Sequence, residues 1–247
     1  MGVITWNGSA STDYGTAANW SSGSVPSASS NVVIPDTSSI NNCILDTSRT
    51  ANSFRIDANG TFDGDGNTIT VDSEGDATTG ASEGYAIRID GIISGSDTDF
   101  AITTPAATNV DLVPSSGTIR NLTINHASAV VNIRSLATTI SGDLTITAGT
   151  LDTQNSGSNL DLTVAGRTDI GPASGSADQA TLKCNASTVS LGSGRTSSFA
   201  LVVNQGGTFD GGSSNHTIGS IEVKNNSNAK MDFTSGDTTV DSEKTGD

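Results

Sequence analysis

The sequence is poor in basic residues and contains no long apolar run. Lysine and arginine together number 11, against 26 aspartate and glutamate residues, which gives a formal net charge of −15 at pH 7. Because binding to nucleic acid requires a basic surface, this balance argues against a nucleic-acid partner. No apolar run approaches the roughly 18 residues that a membrane-spanning helix needs. We therefore predict neither nucleic-acid binding nor insertion into a membrane.

Cysteines, histidines and aromatic rings are also scarce. Two cysteines, Cys43 and Cys184, stand far apart, and the chain has no CxxC motif or Cys/His cluster. This spacing argues against a zinc site and a disulfide framework, so each cysteine is expected to be a small buried apolar residue. His126 and His216 are isolated. Aromatic residues make up 4% of the chain, which is little for a sugar-binding groove.

No segment shows the i, i+3, i+4, i+7 apolar pattern of an amphipathic helix. Instead, short runs place one polar residue between two apolar residues, as in Ile69-Thr-Val71, Leu144-Thr-Ile146 and Leu162-Thr-Val164. Clusters of Gly, Ser, Asn and Asp separate these runs. Strict alternation predicts strands with one buried face, and the clusters predict turns. The fold class is therefore predicted to be all-β.

A short phrase occurs three times, as Gly60-Thr-Phe-Asp63, Gly149-Thr-Leu-Asp152 and Gly207-Thr-Phe-Asp210. The separations of 89 and 58 residues are close to three and two times a unit of about 29–30 residues. A unit of that size with short strands and no helix suits one turn of a parallel β-helix, or β-solenoid. An antiparallel sandwich is the alternative, but a sandwich does not require a phrase at multiples of one period.

We divide the chain into three segments. Residues 1–35 contain both tryptophans, Trp6 and Trp20, and are interpreted as an N-terminal capping and attachment segment. Such a cap is needed because an open solenoid end exposes both core residues and a strand edge. Residues 36–235 are predicted to form the solenoid repeats, and residues 236–247 form a polar, acidic tail.

An acidic turn is a candidate calcium site. Asp63, Asp65 and Asn67 offer oxygen ligands at alternate positions, and Glu74 occupies the twelfth position counted from Asp63. This spacing is similar to that of a calcium-binding loop, although Thr68 stands where such a loop has Gly. A polar corner between two strands is the alternative. No other cofactor is predicted.

The sequence favours a non-enzymatic protein. Some β-helices cleave polysaccharides with paired carboxylates, and Asp152 and Asp161 are expected on neighbouring strands. Neighbouring carboxylates are unavoidable in a chain this rich in Asp, so their presence alone does not indicate catalysis. A polysaccharide-active enzyme is kept as the third functional alternative.

The N-terminal phrases Thr5-Trp6-Asn7-Gly8 and Asn19-Trp20-Ser21, together with Gly142–Asp152, resemble β-solenoid surface proteins of phage particles. They resemble autotransporter-like bacterial adhesins more distantly. The phage resemblance implies a structural virion component, such as a fibre, spike or capsid decoration protein, with a role in attachment. Residues 1–6 lack the basic and apolar regions of a secretory signal, which favours the phage group.

This resemblance implies a location on the virion surface, with other virion proteins or further copies of the chain as partners. A homotrimer and contact with a host surface glycan belong to the same expectation. The alternative is a bacterial cell-surface adhesin or extracellular matrix protein with the same fold.

Overall fold

The computed structural model describes residues 2–72, 86–95, 97–103, 109–114, 119–134, 136–173, 179–224 and 228–241. The chain in these ranges is almost entirely β-structure. Its one helical element is a short 3-10 turn at Ala17–Asn19. The strands are parallel and stack as a β-solenoid of about eight turns. The predicted all-β parallel β-helix with an N-terminal capping segment is therefore confirmed.

Each turn of the solenoid contains up to three strands, and equivalent strands stack to form three faces. The chain visits face one, then face three, then face two, before it returns to face one. Face one contains ten strands, namely β1 (Val3–Thr5), β2 (Asn31–Ile34), β5 (Ser53–Ile56), β8 (Ile87–Ile89), β11 (Asn109–Pro114), the second halves of β12 (Asn121–Ile133) and β14 (Leu144–Asp152), β19 (Ala180–Lys183), β22 (Gly207–Gly212) and β25 (Lys230–Phe233).

Face two is an unbroken parallel ladder of eight strands. It also uses the first halves of the two long strands, which bend from face two to face one without an intervening loop. Its strands are β4 (Arg49–Ala51), β7 (Thr68–Val71), β10 (Asp99–Ile102), the first halves of β12 and β14, β18 (Thr168–Ile170), β21 (Leu201–Val203) and β24 (Ile221–Val223).

Face three consists of two smaller parallel sheets. The strands of both sheets follow a strand of face one along the chain. One sheet contains β3 (Cys43–Ile44), β6 (Thr61–Asp63) and β9 (Ile92–Ser94). The other contains β13 (Thr138–Ile140), β17 (Leu162–Val164), β20 (Val189–Leu191), β23 (His216–Ile218) and β26 (Thr238–Val240). A small antiparallel hairpin, formed by β15 (Gln154–Asn155) and β16 (Ser158–Asn159), projects between faces one and three.

The core is formed by aligned aliphatic side chains inside the stack. Alternation directs every second residue inward, and parallel register places each inward residue against its equivalent in the next turn. One such row on face two is fully buried, and each buried aliphatic side chain contributes about 1.5–3 kcal/mol. The row consists of Val71, Ile102, Ile124, Ile146, Ile170 and Val203.

The length of a turn varies because loops of different size leave its corners. On face two, Arg49 pairs with Ile69 and Ile69 with Phe100, which are separations of 20 and 31 residues. No uniform unit of 29–30 residues therefore runs through the stack. The repeated phrases also lie on two faces. The phrase at Gly149 stacks through Ala180 on the one at Gly207 on face one, whereas Gly60 precedes β6 on face three.

The stack extends beyond both predicted limits of the repeat region. At the start, β1 already pairs with β2, so residues 1–35 contain two strands of face one as well as the segment that closes the end. At the other end, β26 pairs with β23 on face three and lies within the predicted tail. Both strands are parallel to their neighbours, as the strands of the middle turns are.

Candidate functional site

A cluster of three aromatic rings closes the N-terminal end of the solenoid. Trp6 and Trp20 pack edge-to-face with ring centroids 5.0 Å apart, and Tyr14 packs on Trp20 at 4.6 Å. Both indole N–H groups donate hydrogen bonds of 2.7 Å, from Trp6 to the carbonyl of Asn41 and from Trp20 to the carbonyl of Tyr14. The rings therefore fill the end of the core without leaving an indole donor unsatisfied.

The same segment also covers the first strand edge. Trp6 and Trp20 form an antiparallel bridge, and the amide of Ser21 donates to the carbonyl of Thr5 at 2.9 Å. The fully buried Asn19 holds the loop together. Its side-chain oxygen accepts hydrogen bonds from the amides of Ala10 and Ser11, at 2.8 and 3.0 Å. Residues 7–21 thus protect an edge that would otherwise be open to another strand.

Trp6 and Trp20, which the sequence suggests for attachment, are both buried. Trp6 is 1% exposed and Trp20 is 2% exposed, so neither ring offers surface to a partner in this structure. Tyr14, which the sequence did not single out, is buried beside them. Its position was hidden because an isolated Tyr in a polar turn carries no pattern of its own.

The acidic turn forms a hydrogen-bonded corner between β6 and β7. The Asp63 carboxylate accepts from the amide of Asp65 at 2.9 Å, and the Asn67 side-chain amide donates to the Leu45 carbonyl of the preceding turn at 3.1 Å. Glu74, the fourth proposed ligand, lies outside the described residues. Calcium binding at Asp63, Asp65, Asn67 and Glu74 therefore stays a prediction.

Side chains with an acceptor oxygen form a ladder along the corner that precedes face two. The Asn121 amide donates to the Asp99 carboxylate at 3.0 Å, and its oxygen accepts from the Asp143 amide at 2.7 Å. The Asp143 carboxylate in turn accepts from the backbone amide of Arg167 at 2.7 Å. Each side chain thus satisfies a polar group of the adjacent turn where the chain bends.

Close packing at this corner requires glycine. A Cβ added to Gly142 would lie 2.3 Å from Oδ1 of Asn121, and one added to Gly166 would lie 2.3 Å from Oδ1 of Asp143. Such contacts are far below van der Waals distance. The glycines therefore allow the ladder to form, although its Asn and Asp positions are not evenly spaced in the sequence.

Arg120 ties three successive turns together at the same corner. Its guanidinium forms two hydrogen bonds of 2.7 Å with the Asp99 carboxylate one turn earlier and a third, of 3.1 Å, with the Gly66 carbonyl two turns earlier. A bidentate pair is the strongest geometry available to Arg and a carboxylate. This contact restrains sliding of the turns against each other.

The outer surface of face three carries a row of hydroxyl groups. Five stacked strands present Thr or Ser at their central outward position, spaced by about 4.8 Å per turn. The row consists of Thr139, Thr163, Ser190, Thr217 and Thr239. The outer surface of face three is therefore lined by short polar side chains in register.

The carboxylates considered for glycan cleavage have structural partners. Asp152 is 8% exposed and accepts hydrogen bonds from Lys183 at 3.0 Å and from the Asn185 side chain at 2.6 Å. Asp161 accepts from the backbone amide of Thr188 at 2.8 Å. Both carboxylates therefore hold adjacent turns or corners of the solenoid.

Both thiols are buried within the core. Burial raises the pKa of Cys43 well above its usual value, and the nearby Asp46 carboxylate raises it further. Burial likewise raises the pKa of Cys184, with a smaller contribution from Asp210. Neutral thiols without solvent access are poor nucleophiles and poor metal ligands. The expectation that both cysteines are buried apolar residues is confirmed.

The histidines lie apart from each other. His216 is 2% exposed, its Nε2 lies 2.6 Å from the Gly211 carbonyl oxygen, and its ring packs edge-to-face on Phe209. His126 accepts a hydrogen bond at Nδ1 from the amide of Ser128. Within the part of the chain that the structure describes, no group of three or more His, Cys, Asp and Glu side chains is arranged to hold a metal ion.

In the same described ranges, no helix has both the length and the apolar character needed to cross a membrane. Comparisons of this chain with protein-family models, curated proteins and solved structures gave no match.

Proposed function

We propose that this chain is a non-enzymatic structural component of a phage particle surface, of the fibre, spike or capsid decoration type. The observation that carries the proposal is the continuous parallel ladder of face two, which runs from β4 to β24 through eight strands. About eight turns at about 4.8 Å per turn correspond to a rod of about 40 Å.

The interactions between turns favour a mechanical role. The Arg120 contact spans three turns, and the ladder through Asn121 and Asp143 satisfies polar groups along one corner. A core of aligned aliphatic residues and cross-turn hydrogen bonds resists bending and local unfolding. A stiff, protease-resistant rod suits a part that must survive outside the cell.

The proposed partners are other virion proteins and further copies of the chain, with a homotrimer along the side faces as the expected form. A host surface glycan is the proposed target if the rod takes part in attachment. The row of hydroxyl groups on face three provides hydrogen-bond donors and acceptors for such a contact.

The experiment that tests this proposal measures where the native protein resides. Cultures of the producing organism are separated into cell envelope, secreted supernatant and purified virus-like particles, and peptides of this sequence are counted by mass spectrometry. We expect enrichment in particles at a fixed ratio to the major capsid protein. A cytoplasmic protein serves as the control for contamination. Enrichment in the envelope or matrix instead would replace the proposal with the adhesin alternative.

A further inference from the structure

Three stacked strands of face one present polar side chains in register on their outer surface. Strands β19, β22 and β25 are parallel, and their pairing aligns Thr181, Thr208 and Lys230 in one outward row. Two residues further along the strands, Asp210 and Asp232 are aligned in the same way. Alternation along each strand directs both rows away from the core. The outer surface of these strands therefore carries hydroxyl, ammonium and carboxylate groups at fixed spacing.

A recess lies beside the row of Thr181 and Thr208. The register of the strands places Gly206 between Gln179 of the preceding turn and Asn228 of the following turn. Because Gly206 has no side chain, the surface is lower at this position than on either side. The recess has a volume of about 610 Å³, and these five residues all line it.

A second recess, of about 310 Å³, lies towards the other end of β22. The β15–β16 hairpin forms one wall through Gln154 and Asn159, and Asn185 lies beside it. Asp210 lines both recesses, so they adjoin at its carboxylate. Together they form a groove that follows β22 across face one, which we call the face-one groove.

Several polar groups of the larger recess are not used by the fold. Among the described residues, the hydroxyl groups of Thr181 and Thr208 and the side-chain amide of Gln179 form no hydrogen bond. The Asp210 carboxylate accepts one hydrogen bond, at Oδ1, from the amide of Gly212 at 3.1 Å. These donors and acceptors differ from those of the corner ladder, which bind the adjacent turn. They are therefore available to a ligand.

The wall of the smaller recess is held in place by hydrogen bonds. The Gln154 side-chain amide donates to Oδ1 of Asn159 at 3.1 Å, and the Ala186 backbone amide donates to the same oxygen at 3.2 Å. The Asn185 side chain donates to the Asp152 carboxylate at 2.6 Å. Because these side chains are already ordered, a ligand would lose little affinity in ordering them.

The chemistry of the lining restricts the class of ligand. Ligand-binding clefts have volumes of about 300–1,000 Å³ and usually have many apolar and aromatic side chains in their lining. Within the described ranges, the lining of the face-one groove has no aromatic or large aliphatic side chain, which disfavours an apolar ligand.

Charge restricts the ligand class further. Lys230 pairs with Asp232 at 2.8 Å, and Asp210 adds a further negative charge to the groove. With a formal net charge of −15 on the chain, this arrangement disfavours a polyanion. An uncharged ligand rich in hydroxyl groups satisfies the carboxylate, amide and hydroxyl groups together, because a sugar hydroxyl both donates and accepts hydrogen bonds.

We propose that the face-one groove binds a neutral oligosaccharide, with the Asp210 carboxylate accepting hydrogen bonds from sugar hydroxyls and Gln179 and Thr208 binding the ring in the larger recess. This inference rests on the attachment role proposed above and gives that role a site. It places the glycan on face one, where a recess and a carboxylate accompany the hydroxyl groups. The hydroxyl row of face three provides only one such group per strand.

The test measures binding of the full chain to an array of immobilised tetra- to hexasaccharides. The array contains neutral oligomers of glucose, galactose, mannose, rhamnose and N-acetylglucosamine, together with acidic oligomers of uronic acids and basic oligomers of glucosamine. The protein is biotinylated at its N-terminus and displayed on fluorescent streptavidin, because multivalent display makes weak single sites detectable. We expect binding to at least one neutral oligomer and no stronger binding to a charged one.

Two variants test the groove, and a third provides the matched control. Thr208→Trp fills the larger recess with an indole ring, and Asp210→Asn removes the charge of the central acceptor. Each is expected to lower the binding signal at least tenfold. Thr163→Trp makes the same substitution at an outward Thr of face three and is expected to leave binding unchanged. Circular dichroism establishes that every variant is folded.

Three results would overturn the inference: no binding to any neutral oligomer, stronger binding to charged oligomers, or equal losses in Thr208→Trp and Thr163→Trp. The array uses purified protein, so its result does not depend on where the native protein resides. A protein that is enriched in virus-like particles but binds no neutral oligomer would remove this inference and leave the virion proposal in place. Groove-dependent binding by a protein of the cell envelope would do the reverse.

Discussion

At the scale of single residues, this protein places both of its tryptophans where the repeating pattern cannot supply cover. A middle turn is covered by its two neighbours, whereas the first turn has a neighbour on one side only. Trp6 and Trp20 provide the missing surface, and their indole donors bind the carbonyls of Asn41 and Tyr14. Trp6 and Trp20 thus cover core residues that the end of any stack of repeats would otherwise expose.

Replacing Trp20 with Ala is expected to lower the free energy of unfolding by about 3–5 kcal/mol, because a fully buried ring and two aromatic contacts are lost. Urea unfolding monitored by circular dichroism measures the change. Leu136→Ala is the matched control, since Leu136 is 50% exposed and its removal should change stability by less than about 0.5 kcal/mol. A Trp20→Ala effect as small as the control would refute the capping role.

The buried thiols predict a loss of stability at alkaline pH. The pKa values of Cys43 and Cys184 are raised in the folded state. Above the unfolded-state value of about 8.5, unfolded thiols therefore lose protons that folded thiols retain. Unfolding is then favoured, and stability falls as pH rises by up to about 1.4 kcal/mol per pH unit for each thiol.

Between pH 8.5 and 10 the two thiols together should lower the free energy of unfolding by about 3 kcal/mol. Urea unfolding at both pH values measures this difference. In a Cys43→Ala/Cys184→Ala variant, the pH dependence should be weaker by the same amount. Equal pH dependence in the variant and the wild type would contradict thiols that stay neutral when folded.

At the scale of elements, hydrogen bonds at the corners of the turns add to the hydrogen bonds between the strands. Strands of three residues, such as β18 and β21, form few ladder hydrogen bonds each. The corner ladder adds contacts between turns at the position where the backbone leaves the sheet. Asn121 occupies the middle of that ladder, with Asp99 on one side and Asp143 on the other.

Asn121→Ala is expected to destabilise the protein by about 1–2 kcal/mol, because two cross-turn hydrogen bonds are lost at about 0.5–1.5 kcal/mol each. The midpoint of urea unfolding provides the measurement. Asn125→Ala, at an exposed position of the same strand, is the control and should be nearly neutral. Equal effects at the two positions would show that the ladder does not stabilise the corner.

At the scale of the whole molecule, the stabilising contacts run along the axis of the solenoid, from each turn to the next. Each turn contacts its neighbours in the stack, so the architecture tolerates a loop at a corner without disturbing the next turn. The 33 residues from Thr168 to Leu201 and the 20 from Leu201 to Ile221 bridge successive positions of one face equally well. This tolerance leaves the loops free to differ while the rod stays continuous.

The sequence alone determined the strands, their inward residues and the class of fold. Alternating runs such as Ile69-Thr-Val71 and Leu144-Thr-Ile146 became strands β7 and β14 because period-two alternation is a local property of the chain. The scarcity of aromatic residues likewise directed attention to the tryptophans of the N-terminal segment. These inferences needed no knowledge of which strand pairs with which.

Tertiary structure alone decided the face of each repeated phrase, the length of each turn and the way in which Trp6 and Trp20 cover the first turn. The phrases at Gly60 and Gly149 look equivalent but lie on different faces, because loops of unequal length separate them. The proximity of Asp99, Asn121 and Asp143 arises in the same way. Register between turns depends on where the chain closes in space, and variable corners remove the fixed spacing from which a sequence could predict it.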